Sequence, residues 1–150
     1  MTVDHPETIT LRRAEAPDAT AIAQVLRRAL DSLQQPPQSS ADEDRTFVRE
    51  TVLAHRTVTV AEAAGNIVGF IATHGAWIDL LYLDPDWIGR GIGSRLLAAV
   101  NLPHAKLYCF RSNRRACRFY ERHGFRAQAF SGGIGAGQGL PDVLYVRSSR

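Results

Sequence analysis

The residues best suited to chemistry lie in a glycine-rich stretch past the middle of the chain, Gly89-Arg90-Gly91-Ile92-Gly93. It follows an apolar run typical of a strand and precedes Leu96, Leu97 and Val100, which predict a helix anchored on a sheet. Glycine lets the backbone turn tightly and lets a ligand approach without a Cβ in the way. Because the first amides of a helix have no partners inside it, they can bind a phosphate. The alternative is an ordinary tight turn between a strand and a helix.

Two better-known phosphate-binding patterns do not fit this stretch. No lysine follows the second glycine, as a P-loop requires, and the G-x-G-x-x-G spacing of dinucleotide-binding folds is absent. Arg90 within the turn and Arg95 one helical turn later nevertheless favour a site for an anion.

A second stretch of interest runs from Asn113 to Phe125 and fits the pattern N-x-x-A-x-x-F-Y-E-x-x-G-F. Asn113 has the residue type and the position of a helix N-cap. Cys117 has no recognisable base partner, so we expect it to be a small packed residue rather than a nucleophile.

Together the two stretches resemble the GNAT superfamily of N-acetyltransferases. They occur in the order and spacing of that superfamily and cover roughly residues 77–126. The resemblance implies an α/β fold with a single domain over residues 1–150, built on a mixed central sheet of about six to seven strands flanked by about four helices. It also implies a splayed wedge between the fourth and fifth strands, where the thioester of acetyl-CoA, the cosubstrate, lies.

The resemblance also assigns cofactor-binding roles to named positions. Backbone groups of Leu81, Tyr82 and Leu83 would pair with the amide-rich pantetheine arm, and Asn113 would contact it. The turn and the first helical residues would hold the pyrophosphate: Gly89, Arg90, Gly91, Ile92, Gly93 and Ser94. Four further arginines would either neutralise phosphates or form solvated helix faces: Arg95, Arg114, Arg115 and Arg118.

One position departs from the family's pattern. Ile88 stands where family members usually have Gln or Arg, and its side chain cannot donate a hydrogen bond. A phosphate contact there therefore falls to backbone amides or to Arg90.

The implied reaction is direct acetyl transfer to a primary amine in a ternary complex, with a backbone amide of the bulged strand stabilising the tetrahedral oxyanion. Tyr120 would protonate the departing thiolate, since the ordinary pKa of a phenol, about 10, is close to that of a thiol. The alternative for Tyr120 is an aromatic core pair with Phe119.

The amine must lose a proton before it attacks. Asp79 is a candidate base or substrate-binding anion, because it lies two residues before Leu81 on the same face of the strand. His74 and a chain of waters are the alternatives. Trp77 shares the face of Asp79 and either walls the acceptor pocket or packs in the core.

The remaining elements follow from periodicity and capping. Ile22, Val25 and Leu26 predict a helix with one buried face, opened by Ala16-Pro17-Asp18. Ser40 with Glu43 has capping-box spacing and begins a helix that runs to about His55. Strand-like runs occupy residues 9–12, 57–61, 67–72, 77–83, 107–110, 125–130 and 143–146. Residues 132–139 contain five glycines and predict a mobile hairpin loop.

The net charge of +3 is unevenly distributed. Residues 1–86 carry a net charge of −6, whereas residues 87–126 carry nine basic side chains and one acidic one, a net charge of +8. This basic segment coincides with both stretches and indicates a small phosphate-bearing ligand. A nucleic-acid binder is disfavoured, because aromatic residues do not interleave with the basic ones and the acidic half would repel a long polyanion. The run Asp42-Glu43-Asp44 suggests a cationic acceptor, but a solvated helix N-terminus explains it better.

Composition excludes further classes of protein. The chain is 45% hydrophobic and 22% charged, which is typical of globular proteins, and no apolar run approaches the roughly 20 residues of a membrane span. Cys109 and Cys117 are too few for a disulfide framework, the histidines show no metal-ligand spacing, and the N-terminus lacks the features of a signal peptide.

We therefore expect a cytoplasmic, metal-independent acetyltransferase, a monomer or homodimer, acting on the amine of a small molecule, a peptide or a protein. The second hypothesis is a non-catalytic module of the same fold that binds or senses CoA.

Overall fold

The computed structural model describes residues 8–33, 39–131 and 142–148, and this part of the chain forms seven strands and four helices. The strands are β1 (Ile9–Arg13), β2 (Thr57–Ala63), β3 (Asn66–His74), β4 (Trp77–Leu83), β5 (His104–Phe110), β6 (Arg126–Ser131) and β7 (Asp142–Ser148). The helices are α1 (Ala19–Ser32), α2 (Ala41–Phe47), α3 (Ile92–Val100) and α4 (Arg114–Arg122). The α2 helix continues through a π-helical turn (Val48–Val52) into a last turn (Leu53–His55).

The strands form one mixed sheet in the order β1-β2-β3-β4-β5-β7-β6. The pairs β1–β2, β2–β3, β5–β7 and β6–β7 are antiparallel. In contrast, β4 pairs with β5 in parallel, with Trp77 opposite Lys106 at the start of β4. This parallel pairing fits the predicted splay of the fourth and fifth strands, and the predicted mixed α/β class is confirmed.

The described residues fall into two compact units. The first consists of the residues up to Thr73 together with Leu80–Val100, and the second consists of His74–Asp79 together with the residues from Asn101 onward. The prediction of a single domain over residues 1–150 stays a prediction. The glycine-rich loop predicted at residues 132–139 lies outside the described residues.

The core of the first unit is built on the apolar face of α1. Ile22, Val25 and Leu26 are buried there, as their spacing predicts, and they belong to one cluster with Val48 and Phe70. The capping box of α2 is also confirmed: the Glu43 amide donates to the Ser40 hydroxyl at 3.1 Å, and the Ser40 amide donates to the Glu43 carboxylate at 2.9 Å. The capping box therefore defines where α2 begins.

An ion pair links α1 to α2 inside this unit. The Arg27 guanidinium donates two hydrogen bonds to the Asp44 carboxylate, each 3.0 Å long, and a third to the Ser39 hydroxyl at 2.7 Å. Burial raises the pKa of Asp44, but the hydrogen bonds from Arg27 and Ser39 outweigh it, so this pKa lies below its ordinary value. The folded protein therefore stabilises the charged form of Asp44.

The core of the second unit lies on one face of β5 and β7. Its buried side chains are Ala105, Leu107, Cys109, Tyr120, Phe125, Val143 and Tyr145. The Arg147 guanidinium lies 4.7 Å from the centre of the Phe125 ring and donates to the carbonyl oxygens of His123 and Leu102, so it fixes the segments on either side of this core.

Candidate functional site

The residues predicted to bind the cofactor and to act in catalysis divide between the two units. The end of β4 and the glycine turn belong to the first unit, whereas Asp79, Asn113 and Tyr120 belong to the second. We describe each group within its own unit.

In the first unit, the glycine turn has the backbone geometry that makes glycine necessary. Gly89 has a φ of 87° and Gly91 a φ of 81°, both in the left-handed region that side chains with a Cβ rarely adopt. A Cβ placed on either residue would meet no atom within 4 Å. The space in front of this backbone is therefore open, as an approaching ligand requires.

The turn leads directly into α3. The Arg95 amide donates to the Gly91 carbonyl at 3.1 Å, so Gly91 occupies the N-cap position. The amides of Ile92 and Gly93 consequently have no acceptor within the helix, and both residues are buried. Ser94 is half-buried, whereas Arg90 and Arg95 are exposed. This arrangement suits an anion at the positive end of the helix dipole.

A salt-bridge cluster holds the segment just before the turn. Asp84 accepts from the Asp86 amide at 3.0 Å and so caps a short 3-10 turn (Pro85–Trp87). The Arg28 guanidinium, on α1, donates to the Asp84 carboxylate at 2.9 and 3.2 Å and to Asp86 at 3.1 Å. Arg28 thus ties α1 to the end of β4, a link that the sequence patterns did not predict.

The Arg90 side chain is also positioned by a neighbour. Its guanidinium lies 4.5 Å from the centre of the Trp87 ring, a cation–π contact within the turn itself. Ile88, at the position where family members usually have Gln or Arg, is half-buried. The Trp87–Arg90 contact therefore keeps a cation in the turn although Ile88 supplies none.

The strand segment predicted to pair with pantetheine packs closely on β3. Leu81, Tyr82 and Leu83 are half-buried. A Cβ on Gly69 would lie 2.4 Å from the Leu83 Cδ2 atom and 3.3 Å from the Tyr82 carbonyl oxygen. Only glycine at position 69 lets β3 and β4 approach this closely.

In the second unit, Asn113 occupies the N-cap of α4, as its residue type predicts. Its side-chain oxygen accepts from the Ala116 amide at 3.2 Å. The arginines at the start of α4, Arg114, Arg115 and Arg118, are exposed. A contact of Asn113 with pantetheine stays a prediction.

Tyr120 lies on α4 within an aromatic cluster. Only 7% of its surface is exposed, and its ring makes edge-to-face contacts with Phe119 at 5.2 Å and Phe125 at 5.5 Å between centroids. The Tyr145 ring lies 6.2 Å away and its hydroxyl donates to Glu121 at 2.8 Å. The aromatic pairing of Tyr120 with Phe119, raised as an alternative to catalysis, is thus present.

The surroundings of Tyr120 also contain two free thiols. Cys109 and Cys117 have sulfur atoms 3.8 Å apart, and both contact the Phe110 carbonyl oxygen. Burial raises the pKa of Cys109 far above its ordinary value, and burial also raises the pKa of Tyr145, assisted by Cys117 and Glu121. Cys117 is half-buried, as expected of a packed residue.

The candidate base Asp79 and its alternative His74 are both exposed, near the two ends of the hairpin between β3 and β4. Trp77, on the same face of β4 as Asp79, stacks on Tyr108 with the ring centroids 5.5 Å apart and the planes 18° apart. Tyr108 was not singled out from the sequence. The alternation of polar and apolar residues from His104 to Leu107, continued along β5, is a signal that could have placed it on the exposed face.

The acidic run at the start of α2 has structural partners in the first unit. Asp44 is bound by Arg27, Asp42 pairs with Arg45, and Glu43 completes the capping box. This supports the helix N-terminus interpretation over an acceptor-binding one.

Neither a metal centre nor a membrane span is indicated in the part of the chain that the structure describes. The His, Cys, Asp and Glu side chains there form no group of three or more able to hold a metal ion. None of the helices there is long and apolar enough to cross a bilayer.

With this geometry in place, comparison with known proteins identifies the family. Residues 54–127, which include the glycine turn and α4, match the family model of the acetyltransferase (GNAT) domain. This match places residues 54–127 in the GNAT family. No protein with curated annotation matches it by sequence.

Several solved structures share the fold over nearly the whole chain. The apo form of YjaB from Escherichia coli is 23% identical, with a TM-score of 0.76, and the match covers 95% of this chain and 99% of that one. The PaiA N-acetyltransferase of Thermoplasma acidophilum, in complex with coenzyme A, is 19% identical with a TM-score of 0.75, covering 94% and 99%. YncA of Salmonella typhimurium, a structure with acetyl-CoA, is 18% identical with a TM-score of 0.73, covering 95% of each chain. At these identities the similarity concerns the fold.

Proposed function

We propose that this GNAT protein is an acetyl-CoA-dependent N-acetyltransferase that moves an acetyl group to a primary amine by direct attack in a ternary complex. The observation that carries the proposal is the glycine turn at the start of α3, with left-handed φ at Gly89 and Gly91 and open space before the backbone. Ligands of two GNAT-like structures, coenzyme A and acetyl-CoA, support the choice of cosubstrate.

The residues of the turn fit a diphosphate. The amides of Ile92 and Gly93 would donate to phosphate oxygens at the helix N-terminus. Arg90, stacked on Trp87, and Arg95 would supply positive charge beside them. Leu81, Tyr82 and Leu83 would offer backbone groups to the pantetheine arm, with Asn113 as a further contact. Acetyl-CoA supplies an activated acyl group.

Two side chains of the second unit would move the protons. Asp79 would accept the proton that the amine loses as its nitrogen bonds to the acetyl carbon. Tyr120 would give its phenol proton to the sulfur as the carbon–sulfur bond breaks. Holding the two substrates side by side would add to the acceleration, because the reaction becomes effectively unimolecular once both are bound.

Replacing Tyr120 by Phe tests the acid. We expect the rate of thiol release from acetyl-CoA to fall at least about tenfold, in the range typical of a lost general acid, while CoA binding is retained. Tyr145→Phe is the matched control, since it removes a hydroxyl from the same aromatic cluster. It should cost about 1 kcal/mol of stability through the lost bond to Glu121 and leave kcat unchanged. Equal loss of kcat in both variants would contradict the role of Tyr120.

Replacing Asp79 by Asn tests the base. We expect kcat/KM to fall about tenfold or more near neutral pH, and the difference from the unaltered protein to narrow as the pH approaches the pKa of the amine, where no base is needed. His74→Asn is the control at the other end of the hairpin. A pH-independent loss in Asp79→Asn, or the narrowing pattern in His74→Asn instead, would reject Asp79 as the base.

One observation favours the second candidate, a CoA-binding module without catalysis. The Tyr120 ring is packed among three other aromatic rings, as a core residue would be. Saturable CoA binding without turnover on any amine, amino acid or peptide would favour this module over the enzyme.

A further inference from the structure

An open sheet face in the second unit is unusually aromatic. Along β5, Ala105, Leu107 and Cys109 are buried beneath the sheet, whereas His104, Lys106 and Tyr108 alternate with them and are exposed. Tyr108 is 41% exposed although it is a large aromatic residue. A single exposed aromatic residue is ordinary, but a contiguous patch of apolar side chains indicates a binding surface.

Side chains from three strands, β4, β5 and β7, line this face. Trp77 stacks on Tyr108, and the Lys106 ammonium lies 5.8 Å from the centre of the Trp77 ring. On β7, Leu144 is opposite Tyr108 and Val146 is opposite Lys106, and both are half-buried. Residues directly opposite each other share a face, so two aromatic rings and two aliphatic side chains form one patch.

Positive charge flanks the patch. Lys106 lies within it, and Arg126 on β6 is opposite Val146. Within the described ranges, neither Lys106 nor Arg126 forms an ion pair, and both are exposed. A ring and a carboxylate are the chemical groups that such a surface would bind together, the ring by stacking and the carboxylate by charge-assisted hydrogen bonds.

We propose that this face is the subsite for the side chain and carboxylate of the acceptor, and that the acceptor is an aromatic amino acid acetylated on its α-amine. The acceptor role rests on the proposed function, acetyl transfer. The binding surface itself is argued only from the contacts described above. Asp79, exposed two residues after Trp77 on β4, lies on the same open face as the rings. The surface therefore offers cations for the carboxylate and an anion for the amine.

The charges of the face match those of an amino acid. A carboxylate would meet Lys106 and Arg126, which are both exposed, and the amine of the same molecule would meet Asp79 on the same face.

Trp77 provides a direct readout of binding. The sequence has two tryptophans, so Trp87→Phe leaves Trp77 as the only one. We expect L-phenylalanine to change the Trp77 emission saturably, and L-phenylalaninamide and L-alanine, which lack the carboxylate or the ring, to bind about tenfold more weakly. Lys106→Met and Tyr108→Ala in the same background should each raise the Kd about tenfold.

Two matched controls test the site rather than the fold. Arg13→Met removes an exposed cation from β1, and Phe47→Ala removes an aromatic residue that is 43% exposed on α2. Both should leave the Kd for L-phenylalanine unchanged. An absent or unsaturable emission change, an equal Kd for the amide, or equal weakening by the controls would overturn the proposal. So would a Trp77 emission that changes with protein concentration alone, because a second copy would then cover the face.

A turnover measurement separates this inference from the proposed function. Acetylation of L-phenylalanine by the unaltered protein, together with the emission change, supports both. Acetylation of other amines without binding of L-phenylalanine would overturn the inference and leave the function standing. Saturable binding of L-phenylalanine by a protein that binds no CoA would reject the function and keep the ring-and-carboxylate site, but not its role as acceptor subsite.

Discussion

At the scale of single residues, the glycine turn contains an oriented cation although one of its residues departs from the family's pattern. Ile88 cannot donate a hydrogen bond, and the cation that remains in the turn is Arg90, held against the Trp87 ring. A guanidinium that is already oriented loses less side-chain entropy when it meets a phosphate. Arg90 should therefore contribute more to cofactor binding than an unrestrained surface arginine.

Arg90→Ala tests this contribution. We expect the Kd for CoA to rise about fivefold to tenfold, because one charge-assisted hydrogen bond to a phosphate is lost, with kcat nearly unchanged. Arg49→Ala, which removes an exposed arginine of the π-helical turn in the same unit, is the control. Calorimetric titration with CoA measures the Kd of both variants. An unchanged Kd in Arg90→Ala would show that the backbone alone holds the phosphates.

Residue types predict local roles better than they predict partners. Asn113 as an N-cap and Ser40 with Glu43 as a capping box follow from type and spacing, because each acts within one turn of its own helix. The contacts of Arg28 with Asp84 and of Trp77 with Tyr108 join residues far apart in sequence. No local pattern encodes them, since they depend on how strands and helices are brought together.

At the scale of elements, the turn between β4 and α3 depends on glycine for its backbone conformation. Gly91→Ala should destabilise the fold by roughly 1–2 kcal/mol, the cost of a left-handed conformation for a residue with a Cβ. The substitution should also weaken CoA binding, because the methyl group enters the open space before the turn.

Gly75→Ala is the matched control for this prediction. Gly75, in the hairpin between β3 and β4, also has a positive φ, 59°, and open space at its Cβ position. In chemical denaturation, Gly75→Ala should lose about as much stability as Gly91→Ala. Its affinity for CoA should equal that of the unaltered protein. Equal CoA affinities in the two variants would contradict a phosphate site at the turn.

The link between α1 and α2 makes stability depend on pH. The folded-state pKa of Asp44 lies below its ordinary value, so the stabilisation is complete above about pH 4 and is lost as the pH falls through the folded pKa. Asp44→Asn should cost about 2–3 kcal/mol at neutral pH and flatten the acid side of the stability curve. Asp42→Asn, at an exposed pair, should cost less than about 1 kcal/mol. Urea denaturation between pH 2.5 and 7 measures the free energy of unfolding of each variant. Parallel curves of this free energy against pH for Asp44→Asn and the unaltered protein would contradict the role of Asp44.

Most elements could be predicted from periodicity, and β4 has the predicted bounds 77–83, but several other ends could not be predicted. The strand predicted at residues 107–110 begins three residues earlier, at His104, and the strand predicted from residue 125 begins at Arg126, with Phe125 buried before it. Strand ends are determined by pairing with neighbours such as β7, and pairing is absent from the local pattern. The π-helical turn of α2 likewise has no signal in the sequence.

At the scale of the whole molecule, the charge distribution needs a structural correction. The basic segment at residues 87–126 is continuous in sequence, but the structure divides it: Arg90 and Arg95 belong to the first unit, and the rest of its basic residues belong to the second. The sequence indicates one anionic ligand for the whole segment. On our proposals, the cations of the first unit serve the phosphates of CoA, and Lys106 and Arg126 of the second unit serve the acceptor.

The most direct test of the proposed function is the release of free thiol from acetyl-CoA by the purified chain, measured with a panel of amines, amino acids and peptides. We expect at least one acceptor to increase thiol release above the uncatalysed rate, with one acetylated product formed for each thiol released. Thiol release that no acceptor increases would contradict the proposal, whether or not the protein binds CoA.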